Sequence, residues 1–289
     1  MIRSMTGYAR VEQLGPAGRL SWELRSVNHR YLELQLKLPE EFRSLENELR
    51  ALATQRIGRG KVEAGLRFSR DGVAAGALQI DGERLSAVLA AIEQVSAQLR
   101  TSAAPDPIQV LAWPGVVKQE HTPEIAAPLA EASLLFAAAL DDFTSTRSRE
   151  GERTQAYLIE RLDAMGVLVD RVRLRAPQVR DAWLERLRAK IADLGVDIEP
   201  ARLAQEAAMA AQRLDVDEEL SRLASHFVEV RDTLARDEAV GRRLDFLMQE
   251  LNREANTLSS KSQDAEMTRC AVEMKVIIEQ MREQVQNIE

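Results

Sequence analysis

The sequence predicts an α+β protein, in which a strand-rich N-terminal domain of antiparallel strands and helices precedes a predominantly α part built of long helices. Three observations carry this. Apolar and polar residues alternate at period 2 in the first 70 positions. Five of the nine prolines fall between Pro105 and Pro128. From Leu129 onward only two prolines and four glycines interrupt 161 residues dominated by Ala, Leu, Glu, Arg and Gln, a composition that favours long helices.

Taken in order, Leu20, Trp22 and Leu24 alternate with Ser21, Glu23 and Arg25, and Leu32, Leu34, Leu36 and Leu38 alternate with Glu33, Gln35 and Lys37. This is the pattern of strands with one covered and one wet face. Phe42, Leu45, Leu49, Leu52 and Ile57 recur at helical spacing, and Gly58 and Gly60 end that helix. Val62, Ala64, Leu66 and Phe68 alternate as a returning strand, and residues 81–99 read as a further helix. The expected organisation is therefore a basic α+β domain over 1–104 and a Pro-rich connector over 105–128. A long helical hairpin over 129–200 and a C-terminal helical domain over 201–289 complete it. Two stripes define the last domain: Leu244, Leu247, Met248, Leu251 and Leu258, then Met267, Cys270, Met274, Ile277, Met281, Val285 and Ile288 at nearly heptad spacing.

Composition narrows the function classes. With 289 residues, 45% of them hydrophobic, the chain can bury one large core or two ordinary ones, which excludes a disulfide or metal miniprotein. The single cysteine, Cys270, sits on an apolar stripe and reads as a buried small hydrophobe in a reducing compartment. The opening MIRSMTGYAR lacks an apolar targeting segment, and the longest apolar run, Leu134 to Leu140, is too short to span a bilayer. A cytoplasmic protein without a membrane partner is expected. The net charge of −7 taken whole argues against nucleic acid, but residues 1–70 carry +5 and the remainder −12. A basic domain joined to an acidic helical part suits a backbone-binding surface facing a carboxylate-lined reaction centre, although unevenly charged solvated surface gives the same count. Aromatic residues are only 4% of the chain, so nucleic-acid recognition would rest on phosphates and shape rather than on stacked bases.

Four motifs carry candidate chemistry. SVNHRYLE places Arg25, Asn28, His29 and Arg30 beside Tyr31 between two strands, which is either a phosphate-contacting turn or a hairpin whose Asn-His pair tolerates unusual backbone angles. GRGK, with Arg59 and Lys61, offers a glycine-rich approach to an anion but lacks phosphate-loop spacing, and a helix C-cap explains its glycines equally. In LDVDEELSRLASHF, a helix with Leu220, Leu223, Phe227 and Val230 inward leaves Glu219, Arg222 and His226 on an adjacent stripe, behind Asp215, Asp217 and Glu218. These acids and the imidazole suit a divalent cation, while helix-dipole complementation and a Glu219–Arg222 pair explain them without one. In GRRLDFLMQELNREANTLSSKS, Glu250 and Glu254 are one turn apart, with Arg253, Asn256 and Lys261 nearby. The Asn-Thr-Ser run, poor in a helix interior, suggests a site or a subunit contact. TRSREGE interrupts a helical stretch at Gly151, as a kink or as a close approach to another chain.

Together with the opening MIRSMTGYAR, REG and the ending IEQMREQVQNIE, these motifs resemble the YicC family over essentially the full length; Tyr8, where Phe is commoner, is a conservative departure. The resemblance implies a cytoplasmic endoribonuclease that requires a divalent cation (Mn2+ or Mg2+), acts in RNA turnover including small regulatory RNAs, and assembles as a homo-oligomer, expected to be a hexamer. On that basis Glu218, Glu219, His226, Glu250 and Glu254 are the expected catalytic residues, and all of these but Glu218 are expected metal ligands. Arg25, Asn28, His29, Arg30, Arg59, Lys61, Arg253, Asn256 and Lys261 are expected to hold RNA. The alternatives are an RNA-binding adaptor without cleavage, and metal-independent cleavage with His29 or His226 as base.

Overall fold

The computed structural model describes residues 2–69, 79–99, 104–118, 126–193 and 199–289. Strands β1 (Gly7–Gly15) and β2 (Gly18–Val27) form a hairpin that turns at Gly18, where φ is +141°. Strand β3 (Leu32–Lys37), a 3-10 turn (Glu40–Leu45), helix α1 (Glu46–Arg56) and strand β4 (Gly60–Ser69) follow as a strand-helix-strand unit. The sheet order is β1-β2-β4-β3, antiparallel except that β3 runs parallel to β4. The alternation read from the sequence holds: Leu20, Trp22, Leu24, Val62, Ala64 and Leu66 are buried on one face, whereas the other is charged. The expected helix over 40–57 divides into the 3-10 turn and α1.

A small unit follows, in which β5 (Gln79–Ile80) pairs with β6 (Val117–Lys118) around α2 (Gly82–Leu99) and α3 (Pro107–Leu111). Its core is Val88, Val110 and Val116. The described part of the Pro-rich connector is therefore folded, with Asp106 capping α3 through the Ile108 N–H. The rest of that connector, residues 119–125, lies outside the described residues.

The hairpin expected over 129–200 is instead one helix, α4 (Ala126–Asp193), of 68 residues and about 100 Å; positions 194–198 lie outside the described residues. It passes through two cores. Its first half lays Ala132, Leu135, Phe136, Ala139, Leu140 and Phe143 on the buried face of the sheet, and Trp22 donates its indole N–H to the Ala132 carbonyl at 2.9 Å. Its second half, from Leu158 through Val179, joins α6 (Asp217–Leu234), α7 (Gly241–Lys261) and α8 (Ala265–Val285) in a helical core; α5 (Pro200–Leu214) lies against α4. Both predicted C-terminal stripes are buried in that core, Cys270 among them, and burial pushes the Cys270 thiol pKa up.

Between the two cores α4 does not break, because Gly151 serves another purpose. A methyl at Gly151 would overlap the Ile2 carbonyl oxygen, so the glycine admits the crossing N-terminal segment rather than a kink. That segment is stitched on every side. Ser4 N donates to the Arg147 carbonyl (3.0 Å), Met5 N to that of Asn287 (2.7 Å), Glu289 N to that of Arg3 (2.9 Å), and the Ser26 hydroxyl to that of Met5 (2.7 Å). At the centre Arg147 is buried. Its guanidinium donates to the Ser4 carbonyl (2.5 Å), the Arg59 carbonyl (3.4 Å) and the Glu289 carboxylate (2.7 Å), and lies 5.6 Å from the Phe143 ring centroid. Burial pulls its pKa down and Glu289 holds it up.

Two outcomes follow from this packing. Arg147→Met, which strands the Glu289 carboxylate and two carbonyls, is expected to cost roughly 3 kcal/mol in urea unfolding. Gly151→Ala is expected to destabilise despite the ~1 kcal/mol that alanine gains in a helix, because the overlap is with backbone. At the other end of the bundle, Asp264 caps α8 by accepting from the Glu266 and Met267 N–H groups and from Arg175. The Arg175 hydrogen bond foremost holds its pKa below the usual carboxylate range. The cap therefore contributes fully above the unfolded value near 4 and is lost as pH falls through the lower folded value. Asp264→Ala should lower stability by about 1 kcal/mol at pH 7, and the difference from the native protein should shrink below about pH 4, read by circular dichroism melts.

Candidate active site and RNA-facing surface

Helix α6 opens with Asp217, Glu218 and Glu219 in its first turn, where carboxylates meet the positive end of the helix dipole. Because Leu220, Leu223, Phe227 and Val230 are buried, helical spacing sets Glu219, Arg222 and His226 along the edge that meets α7. On α7, burial of Leu244, Leu247, Met248, Leu251, Ala255 and Leu258 likewise puts Arg243, Glu250, Glu254 and Lys261 on the facing edge. The helices run antiparallel, and their edges form a ladder of opposite charges. Lys261 Nζ lies 2.8 Å from Glu219, Arg222 lies 3.5 Å from Glu254 and 2.5 Å from Glu218, and Arg243 lies 2.5 Å from Glu229. That register sets Glu250 level with His226. His226 Nδ1 is 4.0 Å from Glu229, and Glu250 is 3.9 Å from Arg253.

The Glu219–Arg222 pair expected from spacing alone is thus replaced: Lys261 takes Glu219, and Arg222 bridges Glu218 and Glu254. Among the described residues Glu219 and Glu254 are the two buried carboxylates. Glu219 Oε2 has no hydrogen-bond partner at all. The Asn-Thr-Ser run spends its polar groups on its own helix, with Asn256 donating to Asn252 (2.7 Å), Thr257 to the Arg253 carbonyl (3.1 Å) and Ser260 to the Thr257 carbonyl (2.9 Å).

The ligand set expected for a divalent cation, Glu219, His226, Glu250 and Glu254, is spread along this ladder. Among the described residues no group of three or more His, Cys, Asp or Glu side chains comes close enough to hold a metal ion. As placed among the described residues, these carboxylates do not by themselves gather round a divalent ion.

The N-terminal residues gather elsewhere. Arg25 is paired with Glu23, Lys37 with Glu63, and Lys61 with Glu33 at 3.5 Å, so the wet face of the sheet is laced with both signs rather than uniformly basic. The surplus positive charge sits in two adjoining turns. Arg59 Nε donates to the His29 carbonyl (3.1 Å), His29 Nδ1 lies 3.1 Å from the Tyr31 carbonyl, and exposed Arg30 sits 5.3 Å from the Tyr31 ring centroid. Asn28 donates to the Gln286 carbonyl at 2.6 Å, which ties these turns to the end of α8 beside the start of α7. From Arg242 to Glu250 and Glu254 is eight and twelve residues, about 12 and 18 Å along α7. The structure thus places the basic turns and the ladder at two stations of one helix, not in one pocket. Arg222 and Arg243, structural members of the ladder, were legible as neighbours by spacing; which carboxylate each meets required the packing of α6 on α7.

No helix among the described residues is long and apolar enough to cross a membrane. Residues 2–156 match the family described as Endoribonuclease YicC-like, N-terminal region, and residues 172–289 match Endoribonuclease YicC-like, C-terminal. The chain is 43% identical over 289 residues to a probable endoribonuclease YicC of Haemophilus influenzae, all of both chains being covered. It is 31% identical over 295 residues to a probable endoribonuclease YicC of Clostridioides difficile, again with full coverage of both. Matched in both its regions and along its whole length, the chain belongs to the YicC-like endoribonuclease family.

Proposed function

We propose that this protein is an endoribonuclease that hydrolyses RNA phosphodiester bonds at the α6–α7 ladder and acts in RNA turnover, small regulatory RNAs included. The observation that carries the reading is Glu219: a buried carboxylate held by Lys261 through one oxygen while the other has no partner. A buried polar atom left without a hydrogen bond costs stability, so its retention points to use. Once a phosphate draws Lys261 away from it, the Glu219 carboxylate is the proton acceptor for the attacking hydroxyl or water. Lys261 and Arg222 stabilise the charge that grows on the phosphate oxygens, and His226, partly exposed beside Glu229, is the proton donor for the departing 5′ oxygen. The basic turns with Asn28, His29, Arg30 and Arg59, and Arg253 with Asn256 on the outer side of α7, hold the RNA backbone.

A requirement for Mn2+ or Mg2+ belongs to the proposal with donors added to Glu219, His226, Glu250 and Glu254 by a second copy of the chain, because the described residues of one chain do not bring three such groups together. The reading includes a homo-oligomer, with a hexamer as the form to look for, and a cytoplasmic setting. The exposed apolar side chains Val228, Phe246, Val272 and Val276 on α6, α7 and α8 support an assembly. One observation favours an RNA-binding adaptor instead: both buried glutamates have a cationic neighbour, as structural ion pairs do.

End-labelled structured RNA, incubated with manganese, magnesium or EDTA, separates these readings. Cleavage by the native protein should fall roughly 100-fold in Glu219→Gln and in His226→Ala, with RNA binding retained. Binding without cleavage in every condition would sink the nuclease in favour of the adaptor, and undiminished cleavage in EDTA would remove the ion. RNA affinity should also fall steeply between low and moderate salt, since phosphate contacts release counterions; a flat salt dependence would speak against backbone binding by the basic turns.

A further inference from the structure

At the start of α7, opposite the end that carries Glu254 and Lys261, a cavity of about 290 Å³ opens on the seam between the two cores. Asn28 and Arg59 line it from the sheet side, Arg242 and Asp245 from the first turns of α7, and Arg282 and Gln286 from α8. Three guanidinium groups thus face one carboxylate. Arg242 is exposed and makes no ion pair or hydrogen bond with any described residue. Arg59 is held through its Nε by the His29 carbonyl but has no carboxylate partner among the described residues. Arg282 Nε is shielded from solvent with no hydrogen bond, its nearest carboxylate oxygen being that of Asp245 at 3.6 Å.

The start of α7 reverses the usual preference of a helix N-terminus. It has no side-chain cap at Val240 and no acidic residue in its first turn, where Arg242 and Arg243 stand instead. Arg243 turns to Glu229 across the ladder, but Arg242, beside the uncapped N–H groups, repels the helix dipole unless an anion lies against it. Gly241 is closed in from the other side, because a methyl there would overlap the Ile288 carbonyl oxygen, so the cavity cannot be filled by a larger residue at that position.

We propose that this seam cavity binds a phosphate group, through Arg242, Arg282 and Arg59. Guanidinium forks match phosphate oxygens in geometry and charge. The proposal rests on the nuclease reading only in taking RNA as the source of the phosphate. Two sources share this chemistry, an internal phosphodiester of RNA and a terminal or free phosphate.

Inorganic phosphate titrated into the full-length protein in EDTA and low chloride, followed by calorimetry, reads the cavity directly. Saturable binding is expected, weakened about tenfold in Arg242→Gln and in Arg282→Gln and largely restored by Arg242→Lys. Because Arg242 has no structural partner, its replacement should leave the melting temperature within error of the native one. The same RNA with a 5′-hydroxyl or a 5′-phosphate then separates the sources. A preference for the phosphorylated end that disappears in Arg242→Gln identifies a terminal phosphate, and equal weakening of both RNAs identifies an internal one. Absence of saturable phosphate binding by the native protein, or equal binding by the variants, would overturn the proposal. A protein that binds phosphate at this cavity yet leaves all RNA uncut would instead overturn the nuclease reading alone.

Discussion

A guanidinium without water needs acceptors, and the Arg147 side chain finds them in three segments that the sequence sets far apart. The Ser4 carbonyl, the Arg59 carbonyl and the Glu289 carboxylate meet there, while the helix that carries Arg147 runs unbroken from the sheet core into the bundle core. Satisfying that one charge therefore fixes the sheet against the helices. The consequence reaches the surface. With the Arg59 backbone held by Arg147, its side chain is set to bind the His29 carbonyl, and Asn28 in the same turn reaches the end of α8. The orientation of the basic turns is a property of the buried core.

The ladder between α6 and α7 is governed by a different balance. Buried ion pairs are weak contributors to stability, because desolvating the charges offsets most of their attraction, and well-packed apolar residues of similar size serve as well or better. Glu219 and Glu254 sit at positions where leucine would extend the adjacent apolar stripes of Leu220, Leu223, Leu251 and Leu258. Glu219 in addition leaves one oxygen unsatisfied. Stability does not call for charge here, and the proposed chemistry would account for why these two carboxylates are inside.

Much of this was legible in the sequence, for identifiable reasons. Period 2 through Leu20, Trp22 and Leu24 and the apolar stripes of α7 and α8 report burial directly, and fixed helical geometry puts Glu219, Arg222 and His226 on one edge from their spacing alone. Three things were hidden. Gly151 reads equally as a kink or as a close approach to another chain, because only the tertiary crossing of Ile2 reveals that the backbone admitted there is the chain's own N-terminal segment. Strand β1 has a single buried residue between Gly7 and Gly15, Ala9, so its alternation carries almost no apolar signal. The +5 of the first 70 residues suggested a basic face, but cross-strand neighbours such as Lys37 and Glu63 cancel locally, and net charge contains no information about pairing. The excess appears instead in turns, where no opposite strand supplies a carboxylate.

Helix α7 joins these parts because its three faces obey separate constraints. One is apolar and buried, one meets α6 in the charge ladder, and the third runs outward through Arg242, Gln249, Arg253, Asn256 and Ser260. The hydroxyl and amide groups near its end bond within the helix, so that beyond Arg253 this outward face presents polarity without charge. A polyanion lying along it meets free guanidinium groups at the start and carboxylates, screened by Lys261 and Arg222, toward the end. Because a helix is stiff over this length, the spacing between the two stations is set by residue count rather than by loop motion. On the proposed reading an overall acidic protein holds a nucleic acid in that way: attraction acts at one fixed station, and the carboxylates act at another where the backbone has already been positioned.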